Sequence, residues 1–296
     1  MPKSIVFHSY KGGTGKTTLA ANYSALLARR GFRVFLLDLD VYAPSLQTYF
    51  EIEPDKWIND FLTGNAELND VIVDLSSAVM RNDKDNDINS SPASINGKLW
   101  LGFSNSKKEE IYKLEGGKQE KVQFLRRFIV MREQLFSNLK VDYIIIDTSP
   151  GIRYWSINGL AIADMLYLTL KSGDLDIVGT KKMVSEIYSS FTKFGAKPYL
   201  ILNKVAGYCV PDASVQPIEH STSSTSRTLS ASTIVVQQEQ ETESSVDSLS
   251  RETGINVISA MPCYCDIQFS KKEYLTVLRY PQHPFSKKIE SLMQES

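Results

Sequence analysis

The chain has 296 residues, is 42% hydrophobic and carries 33 Lys and Arg against 34 Asp and Glu. That is apolar material enough for a sizeable core without disulfides, and the balanced charge excludes the overall basic field of a non-specific nucleic-acid binder, leaving only a local patch open. Three cysteines (Cys209, Cys263, Cys265), an N-terminus without a signal-peptide pattern and no stretch near the roughly 18 apolar residues of a membrane span point to the reducing cytoplasm.

Short apolar runs alternate with helix-length segments, the pattern of βαβ units around a parallel sheet. The expected fold is one α/β domain over residues 1–296, a doubly wound, mainly parallel twisted sheet with helices on both faces. The first run is Ser4 to Phe7. After a glycine-rich turn, Thr17 to Arg30 reads as a helix with Leu19, Ala20, Tyr23, Leu26 and Leu27 on one face, ended by Gly31. Phe32 to Leu37 is a strand apolar enough to be buried on both faces, delivering Asp38 and Asp40 at its end. Short helices are expected from Pro44 to Met80, and an exposed polar loop over residues 81–97. Lys98 to Phe103 is a strand. Gln119 to Leu139 is a helix whose apolar spacing uses Val122, Leu125, Phe128, Ile129, Leu135 and Phe136.

Val141 to Ile146 is the next strand, ending at Asp147. A helix at Ser156 to Ala163, a strand at Met165 to Leu170, a helix at Leu175 to Phe194 and a strand at Tyr199 to Leu202 follow, with Asn203 at the last strand's end. Residues 208–250, dominated by Ser, Thr, Gln and Glu, read as a disordered insertion rather than a second domain. A helix can begin at Val246, Ile255 to Ala260 is the last strand, and Tyr274 to Leu278 and Phe285 to Met293 are helical.

Lys11-Gly12-Gly13-Thr14-Gly15-Lys16-Thr17-Thr18 lies between a strand and a helix, the context that makes a glycine motif a phosphate site. The glycines let successive N–H groups converge on phosphate oxygens, and the helix start adds its positive end. Lys16 belongs at the β- and γ-phosphates, Thr17 on magnesium and Thr18 on the α-phosphate. A Rossmann-type glycine turn is the competing reading, but it does not call for GKTT at a helix start. The common phosphate loop wants a glycine where Tyr10 stands.

The form KGGTGKTT resembles the deviant Walker A motif of the MinD/ParA family of SIMIBI-type P-loop NTPases. The resemblance continues through Leu36 to Asp40, through Asp142 to Gly151 as Walker B and switch II, through Leu202-Asn203-Lys204 as the adenine motif, and through Ala260-Met261-Pro262. It implies a Mg-dependent ATPase working as a homodimer with ATP sandwiched at the interface. In that family the lysine matching Lys11 reaches the partner subunit's phosphates, the residue matching Asp40 positions the attacking water, and Asp147 holds magnesium through water. Asp38 would help arrange the magnesium shell or cap the following loop. Asn203 and Pro262 would contact adenine, with a plain turn asparagine as the alternative. Lys11 as a solvated surface lysine also stays open.

Family members position different cargoes, so the leading expectation is a positioning or partitioning switch with a protein activator and a DNA or membrane scaffold. The alternative is a metal or iron–sulfur carrier using Cys263 and Cys265, because Asp40 to Ser45 resembles a segment of Mrp-type carriers; buried inert cysteines are the competing reading. A nucleotide-binding adaptor or kinase is the third class. Just beyond Gly151, Arg153 and Trp155 lie where nucleotide state can alter a partner surface, or they are ordinary packing. The stripe Phe285, Ile289, Leu292 and Met293 favours core packing over a peripheral membrane anchor. The cluster Lys271, Lys272, Arg279, Lys287 and Lys288 reads as a solvated face or an anionic contact.

Overall fold

Two of the apolar runs are unbroken because their strands are covered on both sides. In this computed structural model, which describes residues 2–80, 97–114, 118–193, 195–205 and 246–294, β1 is Lys3–His8 and β2 is Arg33–Leu39. Side chains alternate across a strand, so Ile5, Phe7, Val34 and Leu36 enter one core while Val6, Phe35, Leu37 and Leu39 enter the other. A strand buried on both faces must be apolar at nearly every position.

The other strands are β3 (Val73–Asp74), β4 (Lys98–Gly102), β5 (Tyr143–Thr148), β6 (Met165–Leu170), β7 (Lys197–Val205) and β8 (Val257–Pro262). Their order is β3-β4-β2-β5-β1-β6-β7-β8, parallel except for β3 against β4. The expected doubly wound, mainly parallel architecture is therefore present. The helices are α1 (Lys16–Arg29), α2 (Leu46–Phe50), α3 (Ile58–Thr63), α4 (Ser76–Met80), α5 (Lys108–Leu114), α6 (Lys118–Ser137) and α7 (Tyr154–Ala161). They continue with α8 (Asp174–Met183), α9 (Ser189–Lys193), α10 (residues 246–253), α11 (Cys265–Gln268), α12 (Thr276–Arg279) and α13 (Pro284–Gln294).

One core holds Leu19, Leu26 and Leu27 of α1 with Val277, Phe285, Ile289 and Leu292. This places the C-terminal apolar stripe in the interior, as its spacing suggests. The opposite core takes Phe124, Phe128 and Met131 of α6 with Trp155 and Leu160 of α7. Each such side chain, fully buried, contributes roughly 1.5–3 kcal/mol of transfer free energy.

Several sequence expectations need correction. On α6, Val122 and Ile129 are 53% and 44% exposed, because Phe124, Phe128, Met131 and Leu135 form the inward stripe. Trp155 is 1% exposed and packs on Phe124 and Phe128, so it is core and not a partner surface. Residues expected in one helix from Leu175 are interrupted by a π-helical turn at Val184–Tyr188. Strands β3 and helix α5 were not anticipated; β3 has only two residues, too few to show an alternation. The expected polar loop (81–97) and insertion (208–250) fall almost wholly outside the described residues, apart from Gly97 and the start of α10.

Candidate nucleotide-binding site

The site sits at the carboxyl edge of β1, β2, β5 and β7, where open α/β sheets bind ligands. Between β1 and α1 the backbone turns back on itself at Gly13 (φ 74°) and Gly15 (φ 90°), left-handed conformations that favour glycine. Gly15 has a second reason to lack a side chain, since the Asn203 amide occupies the space a Cβ would take. That amide donates to the Thr14 carbonyl at 2.7 Å, tying β7 to the loop. Thr14 is buried, its hydroxyl 2.9 Å from that of Thr169.

Lys16 lies in the cleft with Nζ donating to Ser9 Oγ at 2.9 Å, and Ser9 Oγ donates to the Lys11 carbonyl at 2.6 Å. Burial lowers the pKa of Lys16, while the nearby Asp147 and Asp40 carboxylates pull it back up. Beneath the loop, Thr148 Oγ1 donates to the Phe7 carbonyl and must therefore accept from His8 Nδ1 at 2.7 Å. Burial, with the Lys16 charge, pushes His8 down to about 3.

Asp38 and Asp147 are register partners on β2 and β5. The sequence reading put both Asp38 and Asp40 beyond a buried strand. Instead β2 runs on to Leu39 and Asp38 is fully buried within it, because its Oδ1 accepts the Asp40 N–H at 2.9 Å. Burial, then the Asp147 charge, drives Asp38 well above the carboxylate range. Burial, helped by Asp40 and opposed by Lys16 and the Thr17 hydroxyl, pushes Asp147 up to about 7.

Asp38 Oδ2 and Asp147 Oδ1 are buried without a hydrogen-bond partner among the described residues. Two orphaned carboxylate oxygens on adjacent strands, with a threonine hydroxyl bonded to one carboxylate, suit a hard, oxygen-seeking dication and its water shell. Magnesium thus fits Thr17, Asp38 and Asp147, and its charge would reverse the pKa rises.

A cleft of about 460 Å³ is lined by Gly12, Gly13, Gly15, Lys16, Thr17, Thr18 and Asp40. Asp40 is held there by Ser149 Oγ at 2.8 Å and by the Ala43 N–H at 3.3 Å. An adjoining cavity is lined by Asn203, Pro262, Tyr264, Ile267 and Phe285, aromatic and apolar walls with an amide, as a purine base requires. Gly15, Thr18, Lys204 and Glu273 line both spaces. Thr18, expected on the α-phosphate, accepts a hydrogen bond from Tyr49 Oη at 3.0 Å in this structure.

Tyr42, Tyr49, Arg153, Lys204, Gln268 and Glu273 also line these spaces and were not assigned to the site from sequence. Position near the carboxyl end of an apolar strand was a signal for two of them, Lys204 at the end of β7 and Arg153 shortly after β5. Lys171, immediately after β6, brings Nζ within 3.6 Å of where a Gly13 Cβ would lie. Lys11, half-buried, is absent from the lining of its own cleft.

Cys263 lines the base cavity. Cys265 is disulfide-bonded, which a reducing compartment did not lead us to expect and which removes it from a thiolate pair with Cys263. In the basic cluster, Lys272 pairs with Glu51 at 3.5 Å and Lys287 with Glu290 at 3.4 Å. Arg279 lies against the rings of Tyr274 and Tyr280. No helix among the described residues is long and apolar enough to cross a membrane.

A glycine loop capped by a helix, a buried lysine, paired carboxylates and a neighbouring base cavity define a P-loop nucleotide-binding protein. A family model described as an AAA domain matches residues 2–196. The putative replication protein A of Rhizobium rhizogenes is 28% identical over 194 residues, covering 64% of this chain and 46% of that protein. The chromosome-partitioning ATPase Soj of Treponema pallidum is 27% identical over 171 residues, 58% of each chain. This chain therefore spans about half the length of these relatives. The septum site-determining protein MinD of Pyrococcus horikoshii, solved with Mg-ADP, superposes with a TM-score of 0.65 at 18% identity, covering 100% of this chain and 96% of that one. The chain belongs to the MinD/ParA family of P-loop ATPases.

Proposed function

We propose that this protein is an ATP-dependent dimeric switch that binds ATP with magnesium, hydrolyses it, and positions or partitions a cellular cargo. The observation that carries the reading is the separation of two lysines of one loop. Lys16 lines the cleft and Lys11 does not. A cation outside its own site is available to a neighbour's, and a preorganised cation supplied by a second subunit stabilises charge developing on phosphoryl oxygens.

In this reading the backbone of Gly12 to Gly15 and Lys16 hold the phosphates, and Asn203 and Pro262 border the base. Thr17, Asp38 and Asp147 would hold magnesium, which when bound would supply neutralisation of phosphate charge. Asp40, oriented by Ser149 and the Ala43 N–H, directs the attacking water. The rim around the glycine loop supports a partner copy: Tyr10, Ile152, Leu175 and Val178 are 37%, 53%, 74% and 63% exposed. Tyr10 lies flush against Gly179 of α8, and the Gly151 N–H donates to Ser9, so these residues gather near the loop.

The relative named for chromosome partitioning and the neighbour named for septum-site determination support a positioning role; a protein activator and a DNA or membrane scaffold are part of the proposal. Light scattering tests the switch. Asp40→Ala protein should double its mass with Mg-ATP and not with Mg-ADP, whereas a nucleotide-independent mass would contradict the reading.

A further inference from the structure

Among the residues that line the cleft is a guanidinium with no hydrogen bond to another described residue. Arg153, just before α7, lines the cleft with Tyr42, and its guanidinium carbon is 5.2 Å from the centre of the Tyr42 ring. No hydrogen bond or ion pair to another described residue engages that guanidinium. An arginine carries five N–H donors, and a ring face takes none of them as a hydrogen-bond acceptor would. The segment after β2 and the segment after β5 are thus joined twice, by Arg153 on Tyr42 and by Ser149 on Asp40.

The two spaces give a bound nucleotide its direction. The base cavity meets the phosphate cleft at Gly15, Thr18, Lys204 and Glu273, whereas Gly12, Tyr42, Pro150 and Arg153 line only the cleft. With its base in the cavity, a nucleotide points its last phosphate away from that junction, into the part of the cleft whose lining includes Gly12, Pro150 and Arg153. A triphosphate extends one phosphate further in that direction than a diphosphate.

We propose that Arg153 engages the terminal phosphate of a nucleoside triphosphate bound to its own chain, and that the Tyr42 ring parks the guanidinium when that phosphate is absent. This rests on the cleft being a nucleotide site. Paired anionic oxygens hold a guanidinium more strongly than a ring face does at an exposed site, so the phosphate displaces the ring. Arg153 is thereby the in-chain reader of triphosphate against diphosphate, separate from Lys11, which lies outside this cleft.

The test is an equilibrium titration of the full chain with Mg2+ and fluorescent ADP or a fluorescent non-hydrolysable ATP analogue. A Lys11→Ala background removes the contribution of a partner's lysine. Arg153→Ala should weaken the triphosphate analogue by about tenfold or more, the effect of losing a charge-assisted hydrogen bond, and change ADP by less than about twofold. Arg153→Lys should recover part of the loss, and Tyr42→Ala should cost clearly less triphosphate affinity than Arg153→Ala. Equal losses for both nucleotides, no loss for either, or a loss on Tyr42→Ala matching that of Arg153→Ala would overturn the proposal alone. If the parent binds neither nucleotide, the nucleotide reading falls and the proposal with it.

Discussion

The Asn203 side-chain amide donates to the Thr14 carbonyl at 2.7 Å and fills the space beside Gly15 that any larger residue would need. One residue thus fastens the phosphate loop to the strand that borders the base cavity. Asn203→Ala should weaken nucleotide binding about five- to tenfold, the worth of one neutral hydrogen bond plus looser loop geometry. Titration with labelled ADP measures it, and unchanged affinity would show that the contact does not shape the site.

Gly15→Ala should be far more damaging. The residue sits at φ 90°, where a Cβ costs roughly 1–2 kcal/mol, and the new methyl would also displace Asn203. Loss of nucleotide binding together with a lowered melting temperature is the expected result.

Asp38 is buried and driven well above the carboxylate range by burial and the Asp147 charge, so without metal this position disfavours a negative charge. Asp38→Asn should therefore change the stability of the metal-free protein by less than about 1 kcal/mol, as for substitutions that break no packing. It should remove most of the gain in nucleotide affinity that Mg2+ confers. Thermal melts in chelator and nucleotide titrations with and without Mg2+ check the two halves separately.

His8 gives a pH signature. Its pKa falls from 6.5 to about 3 on burial, so the folded state binds fewer protons than the unfolded one. Its stabilising contribution is full above pH 6.5 and is lost as pH falls toward 3. Between pH 7 and 4.5 this group alone should cost on the order of 2–3 kcal/mol. Urea unfolding at both pH values should show a shallower loss for His8→Gln than for the parent.

The parts of the site that are contiguous in sequence were legible, and those assembled across the sheet were not. Lys11 to Thr18 announces itself because glycine, lysine and threonine chemistry is packed into one turn, and Asp147 because it stands at the end of an apolar run. Asp38 was misplaced by its charge, since a carboxyl inside a buried strand, beside the like-charged Asp147, is offset here by backbone N–H groups such as that of Asp40. Tyr42, Arg153, Lys204 and Glu273 come from four separate segments, following β2, β5 and β8 or ending β7, and the order of the sheet brings them to one cleft. Trp155 looked like a surface reporter because its burial depends on Phe124 and Phe128, some thirty residues away along the chain.

The claim that Lys11 serves a neighbour's site is tested most directly by mixing two inactive variants. Lys11→Ala lacks the crossing cation but keeps Asp40, and Asp40→Ala keeps Lys11. In a mixed dimer one site has both, so equal amounts should restore roughly a quarter of parental ATPase activity if subunits pair at random. Activity no higher than that of either variant alone, with mixed dimers shown to form, would contradict the two-subunit site.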